Sequence, residues 1–294
     1  MSLHYDLHSH STASDGTLSP TELVARAHAR GVHVLALTDH DSTEGLAEAG
    51  VTAGEIGLDL VPGVEISVSW NSQTVHIIGL HIDPANQALQ GGLSELRTFR
   101  DWRAQEIARR LEKHGIADTY EGAKGYAKGT IVSRTHFARL LVERGHARDL
   151  QQVFKRFLVH GKPGYVSGEW ATLADAVSWI TGAGGQAVIA HPARYKLTAT
   201  RLRALFTEFK EVGGAGIEVV SGSHSRDDYF TLANYAKQFG LLASCGSDYH
   251  GPEHPWIELG RLPELPKGCI PIWTEWSQYP CNASTSTPPI PRRA

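Results

Sequence analysis

Four stretches of the chain share one construction, an apolar run that breaks off at a histidine or a carboxylate: "VHVLALTDH", "LVPGVEIS", "GQAVIAHP" and "LLASCGSDYH". Short, nearly unbroken apolar runs between polar residues read as strands buried on both faces, the signature of a parallel sheet. Between them lie segments of helical periodicity. "SPTELVARAHARG" starts a helix at Ser19 or Thr21 and closes it at Gly31, and further helices are expected near 43–56, 172–183, 199–211 and 226–239. A first strand over residues 5–9, a strand in "LDLVPGVEISV" with a hairpin partner in "QTVHIIGLHI", and another in "GIEVVSG" complete the series. Repeated βα units point to an α/β fold with a parallel barrel, whose strand ends open on one face.

The stretch between the two runs of βα units is different. From 88 to 165, "LRTFRDWRAQEIARRLEKHG" and "SRTHFARLLVERG" have helical periodicity and no good strand, so a helical insertion is expected there. The division is then 1–87 for the first part of the barrel, 88–165 for the insertion, 166–280 for the second part, and a flexible Ser-, Thr- and Pro-rich tail over 281–294. At 294 residues the chain has room for one large barrel or two modest domains. Its net charge of −3 hides an asymmetry: residues 97–165 carry fifteen Lys and Arg against seven Asp and Glu. An acidic body suits cations, and a basic insertion suits an anion such as phosphate.

Other classes recede. No apolar run approaches the roughly 18 residues of a membrane span. The start "MSLHYDLHSH" has no basic segment followed by an apolar one, so a cytoplasmic location is expected. Cys245, Cys269 and Cys281 have no CxxC spacing and read as reduced bystanders. No helix-turn-helix, zinc finger or RNA-recognition motif is visible, which argues against reading of duplex sequence.

Nine potential metal ligands stand at or just beyond the strand ends: His8, His10, Asp15, His40, Glu65, His76, His191, Asp248 and His250. In "HSH" the i, i+2 spacing sends both imidazoles to the same side of an extended strand, where they can grip one ion. Glu65 sits among apolar residues, and a buried carboxylate needs a cation or another partner. His4, His28, His33, His114, His146 and His254 lack such positions and read as ordinary polar residues. A donor set of imidazole and carboxylate suits manganese, iron or zinc better than magnesium. Grouped ions about 3.5–4 Å apart can lower the pKa of a water towards ~7 and clamp a phosphoryl transfer.

In order along the chain, "DLHSHSTASDGTLSP", "ALTDHDST", "PGVEIS", "VHIIGL", "AHPARY" and "GSDYH" resemble the PHP (polymerase and histidinol phosphatase) superfamily. The resemblance is closest to its stand-alone branch of nucleoside 3',5'-bisphosphate phosphatases and 5' to 3' oligonucleotide exonucleases. It implies a distorted (β/α)7 barrel with three divalent ions, manganese by preference and iron or zinc as alternatives. By that resemblance His8, His10, Glu65 and Asp248 would hold one ion, Asp15, His40 and His250 a second, and Glu65, His76 and His191 a third. The implied substrate is a nucleoside 3',5'-bisphosphate or a short 5'-phosphorylated RNA.

Outside the metal shell, Arg134, Arg194 and one of Arg100 or Arg103 are candidates for phosphate, because the planar guanidinium binds phosphate oxygens in pairs. His136 and His224 are candidate contacts to ribose or phosphate, and Trp102 is a candidate stacking surface for a base. Asp248 is the expected proton carrier. Two rivals remain: a histidinol phosphatase, with the same barrel and metals, and a non-catalytic nucleic-acid-binding module that keeps metals for stability. A polymerase-attached role is disfavoured, since nothing after the barrel is large enough to be a polymerase.

Overall fold

Seven strands follow one another around a single sheet in chain order: β1 (Tyr5–Asp6), β2 (Val34–Leu37), β3 (Asp59–Trp70), β4 (Gln73–Leu80), β5 (Gln186–Ile189), β6 (Gly216–Ser221) and β7 (Leu242–Gly246). The computed structural model describes residues 3–253 and 255–278, and the expected tail over 281–294 lies outside them. Closure comes from the chain after β1. Leu7 N–H donates to Cys245 O at 2.9 Å and Asp248 N–H donates to His8 O at 2.9 Å, so the first and last strands meet and the sheet becomes a nearly closed, distorted barrel.

Two details depart from the expected pattern. The strand expected over residues 5–9 is regular only at Tyr5–Asp6. Leu7 to His10 remain extended but bond alternately to β7 and to the end of β2, as where Thr38 N–H donates to Ser9 O at 2.9 Å. The second departure is β4, which runs antiparallel to both β3 and β5. Its tight link to β3 turns through Asn71 and Ser72, both at positive φ (46° and 63°), the pair of left-handed residues that a two-residue hairpin of matching twist requires. Reversal changes where a ligand must sit. The mouth lies beyond the C-terminal ends of parallel strands, so on β4 it is the N-terminal half, with His76, that reaches it.

Helices α1 (Pro20–Ala29) and α2 (Leu46–Ile56) follow β1 and β2. Ser19 and Glu22 form a capping box around Pro20, which explains why α1 starts there. Gly57, at φ 72°, ends α2 in the left-handed conformation that favours glycine. After β4 come α3 (Gln87–Glu112), α4 (Thr119–Lys124), α5 (Arg134–Glu143) and α6 (Leu150–Val153), followed by a π turn over Phe154–Leu158. The barrel pattern resumes with α7 (Leu173–Gly182), α8 (Ala199–Glu211) and α9 (Arg226–Phe239).

Three apolar clusters hold these layers. Leu35, Ile66, Ile77 and Ile189 face outward from the strands and pack under Leu23, Val177, Phe206 and Leu232 of the helices. Alternate residues, among them Ala36, Val61, Ile78 and Val188, point the other way into the barrel, with Ile272 beside them. Helices α3 to α6 have a core of their own around Ile107, Leu111, Phe137 and Leu141. Among the described residues, Cys245 and Cys269 are free thiols, and no helix is long and apolar enough to cross a membrane. Cys281 lies outside the described residues.

Candidate metal centre

The barrel mouth gathers all nine candidate ligands. His8 and His10 come from the extended segment after β1, their Nε2 atoms 3.0 Å apart. His8 Nε2 stands 3.4 Å from both Glu65 Oε1 and Asp248 Oδ1, and His10 Nε2 stands 3.3 Å from both Glu65 Oε2 and Asp248 Oδ1. Separations near 3.3 Å are the edges of a coordination polyhedron around an ion with bonds of about 2.0–2.2 Å. Across the site, Glu65 Oε1 meets His76 Nδ1 at 2.9 Å and His191 Nε2 at 3.1 Å. Asp15 Oδ1 lies 3.3 Å from His250 Nε2 and 3.9 Å from His40 Nε2.

The donor atoms fall into four overlapping groups, each with all members within 4.8 Å of one another. His8, His10 and Asp248 form one; His10, Asp15, His40 and His250 another; His8, Glu65 and His191 a third; His40, Glu65 and His76 the last. Glu65 belongs to two groups, as a bridging ligand would. The grouping differs in detail from the implied sets, because His10 also reaches the Asp15 group and His8 also reaches His191.

The cluster fits divalent metal on its own chemistry. His10 Nδ1, Asp15 Oδ1, His40 Nδ1, Glu65 Oε2 and His191 Nδ1 are buried with no hydrogen-bond partner, a cost that burial of polar groups normally forbids. His40 Nδ1 and Glu65 Oε2 approach to 2.8 Å yet are not aligned as donor and acceptor, an arrangement that suits two ligands of one ion. Burial, joined by His250 and His40, pushes His10 down to about 3. Burial, joined by Arg194, pushes His191 down to about 3 as well. Both are therefore neutral at pH 7, with lone pairs available. Burial would raise the Glu65 carboxyl, but His40, His76 and His8 outweigh it and hold it well below the usual range.

Beside the cluster lies a cavity lined by Arg103, Arg134 and Arg194 together with Asp15, His40, His76, His191, Asp248 and His250. Burial, together with Arg134 and Arg100, pushes Arg103 down to about 9. Arg134 is lowered too, by burial and then by Arg100. Neither pairs with a carboxylate among the described residues. Arg194 donates from Nη1 to Asp248 Oδ2. Arg100, the alternative to Arg103, is held by Asp41 Oδ2 at 2.6 Å and Ser67 Oγ at 2.9 Å and so is already paired.

Three of the candidate substrate residues do not line the cavity. Trp102 is half exposed on α3 and does not line the cavity, because α3 turns that face to solvent. The aromatic lining is Trp170, with Arg100 and Arg103 stacked over it at 5.1 and 5.4 Å, and Phe154, with Arg134 over it at 5.7 Å. His136 is buried away from the cavity as part of the cap of α5, its Nδ1 accepting the Ser133 N–H at 3.0 Å. His224 is buried with Nδ1 turned to Val219 O at 3.3 Å and does not line the cavity either.

With this geometry in place, likeness to known proteins becomes informative. The model of the PHP domain matches residues 6–166. A 3',5'-nucleoside bisphosphate phosphatase of Chromobacterium violaceum is 51% identical over 271 residues, spanning 92% of this chain and 95% of that one. The chain belongs to the PHP family. A 5'-3' exoribonuclease of Haemophilus influenzae is 46% identical over 276 residues, or 94% of this chain and 100% of that one. A solved structure from C. violaceum, described as an amidohydrolase with bound sulfate and no metal, aligns with a TM-score of 0.91 at 50% identity. It covers 94% of this chain and 96% of that one.

This PHP chain also uses residues that the strand-end argument passes over. Glu218 on β6 is fully buried and bonded to two ligand residues; "GIEVVSG" carries the same signal as Glu65, a carboxylate inside an apolar run. Asp39 is buried and accepts the Ser11 N–H at 2.8 Å, the Ser11 hydroxyl at 2.6 Å and the Ser14 hydroxyl at 2.5 Å. It thereby fixes the loop between His10 and Asp15. Ser9 points away from the ligands and donates to Ala36 O at 2.7 Å.

Proposed function

We propose that this chain is a metal-dependent phosphoesterase that removes the 3'-phosphate from nucleoside 3',5'-bisphosphates, leaving nucleoside 5'-monophosphate and phosphate. On the same reading it shortens 5'-phosphorylated RNA from the 5' end. The observation that carries this is one cavity lined both by six of the nine candidate ligands, Asp15, His40, His76, His191, Asp248 and His250, and by Arg103 and Arg134, neither of which pairs with a carboxylate among the described residues. Such a cavity suits a substrate with two phosphates, one at the reaction centre and one held by guanidiniums. The named activities of the C. violaceum and H. influenzae relatives support the same substrate class.

Three divalent ions complete the reading, manganese by preference and iron or zinc as alternatives. His8, His10, Glu65 and Asp248 would hold one, Asp15, His40 and His250 a second, and Glu65, His76 and His191 a third. When bound, such ions polarise the phosphoryl group and lower the pKa of the attacking water. Asp248 would accept a proton from the attacking water and return it to the ribose 3'-oxygen as the P–O bond breaks. Against the opposing effect of burial, histidines and Arg194 hold its carboxyl well below the usual range, so it is ionised and able to accept. Arg134 of α5 and Arg103 of α3 hold the 5'-phosphate, and residues 88–165 serve as the cap over the mouth. With free thiols at Cys245 and Cys269, the cytoplasm is the natural setting.

The test is turnover at matched manganese on adenosine 3',5'-bisphosphate, a 5'-phosphorylated oligoribonucleotide and histidinol phosphate. The bisphosphate or the RNA is expected to be preferred. A preference for histidinol phosphate overturns the substrate assignment, and RNA binding with no release of phosphate or nucleotide overturns the catalytic one.

A further inference from the structure

Glu218 lies in β6, outside the nine-donor cluster, and is fully buried. Its two oxygens have separate tasks. Oε1 is 2.9 Å from His8 Nδ1, and Oε2 accepts the backbone N–H of His191 at 2.5 Å. One carboxylate thus ties the segment after β1 to the end of β5, the two places that deliver His8 and His191. Its room is made by Gly246 on β7, where a Cβ would collide with His8 Cβ and would stand 2.7 Å from Glu218 Oε1.

Both contacts act on geometry that metal binding needs. A carboxylate that already accepts at Oε2 accepts at Oε1 as well, so the proton of a neutral His8 sits on Nδ1 and the lone pair sits on Nε2. Nε2 is the atom aimed at His10, Glu65 and Asp248. His191, in turn, has φ 28° and ψ 56°, a conformation costly for a residue with a Cβ. The hydrogen bond from its N–H to Glu218 helps hold that backbone, and with it the Nε2 that meets Glu65.

We infer that Glu218 is a positioning residue that sets the tautomer of His8 and the backbone of His191, and so joins two ion sites that share Glu65. The inference rests on the metal-centre reading above. It makes different variants fail differently. In Glu218→Gln the amide oxygen can still accept from His191, while its NH2 faces His8 Nδ1, which must then accept. The His8 proton moves to Nε2 and blocks that ligand. In Glu218→Ala both supports go.

The experiment has two arms. Against burial, Glu218, Glu65 and Asp248 hold His8 protonated well above the usual range, so the metal-free protein is studied at a pH high enough to make His8 neutral. Nitrogen-detected NMR then reads its tautomer directly: Nδ1–H is expected in wild type and Nε2–H in Glu218→Gln. Nε2–H in the wild type overturns the inference, whatever the protein's activity. Titration with manganese alone, with bound metal counted per chain, is expected to show one site weakened about 10- to 100-fold in Glu218→Gln. A second site weakens in Glu218→Ala. Wild-type stoichiometry and affinity in a folded Glu218→Gln protein overturn it. If wild type binds no manganese, the proposed function falls while the tautomer arm still decides the role of Glu218.

Discussion

Arg194 Nη1 and Asp248 Oδ2 are 2.6 Å apart, so a guanidinium at the cavity and a carboxylate of the metal cluster are already bonded to each other. The arginine side chain is half exposed and the carboxylate is buried. A phosphate entering the cavity can share the remaining guanidinium donors without breaking this pair. Arg194→Ala is therefore expected to raise KM for a nucleoside bisphosphate about 10- to 100-fold, the range of a charged hydrogen bond worth about 1.5–3 kcal/mol. The kcat should fall less than the KM rises. Steady-state kinetics decide this, and an unchanged KM removes Arg194 from substrate binding.

The second relationship joins the helical segment to the cluster. Asp15 turns Oδ1 to the histidines, while Oδ2 accepts the Ser133 hydroxyl at 3.1 Å and the Thr135 hydroxyl at 3.0 Å. Ser133 is the N-cap of α5 and Thr135 lies in its first turn. Groups that orient a metal ligand from behind typically carry about tenfold or more in affinity. The double variant Ser133→Ala, Thr135→Val is expected to weaken the ion held by Asp15 by about that factor and leave the others unchanged. Counting bound manganese against free manganese checks it, and an unaltered binding curve would show that Asp15 needs no such support.

Much of this centre is legible in the sequence because an apolar strand ending in a ligand is a local pattern. His40, His191 and Asp248 announce themselves that way. His76 does not follow the rule by position: it reaches the mouth from the start of an antiparallel strand, and only the Asn71–Ser72 turn explains why. Glu218 carries the same signal as Glu65, a carboxylate inside an apolar run, but the strand-end rule passes over it because it lies within β6 and not at its end. The substrate wall is harder still. Trp102 and Trp170 are both plausible aromatics, and the choice depends on how α3 rolls against α7 and the chain before it, where Phe99 meets Trp170, a matter of tertiary packing. His136 is ambiguous for a related reason, since a histidine at the third position of a helix can serve as a cap as readily as a substrate contact.

The two tryptophans supply a direct comparison. Trp170 lies beneath Arg100 and Arg103, and a cation over an aromatic face is worth about 0.5–2 kcal/mol. Trp170→Ala should free Arg103 and raise KM for the bisphosphate several-fold. Trp102→Ala changes a half-exposed residue whose described ring contact is Phe99 at 5.4 Å, and is expected to leave KM unchanged. Equal effects from the two would contradict the assignment of Trp170 to the cavity wall.

His136 gives the chain a pH dependence that can be isolated. It is 1% exposed, and burial pushes it from 6.5 down to about 4, with Asp15 opposing and Arg139 and Arg100 assisting. The folded state holds it neutral, as its acceptance of the Ser133 N–H requires. The unfolded chain protonates it near 6.5. A depressed folded value means that its contribution is fully present above pH 6.5 and is lost as pH falls through about 4. At about 1.4 kcal/mol per unit, the loss approaches about 3 kcal/mol. His136→Gln offers an acceptor for the same cap and does not titrate. Urea unfolding of both proteins from pH 7 to pH 4.5 should show the variant losing stability less steeply than wild type. The cluster histidines titrate in both and cancel from the difference. Parallel stability curves would mean that His136 is not held neutral by the fold.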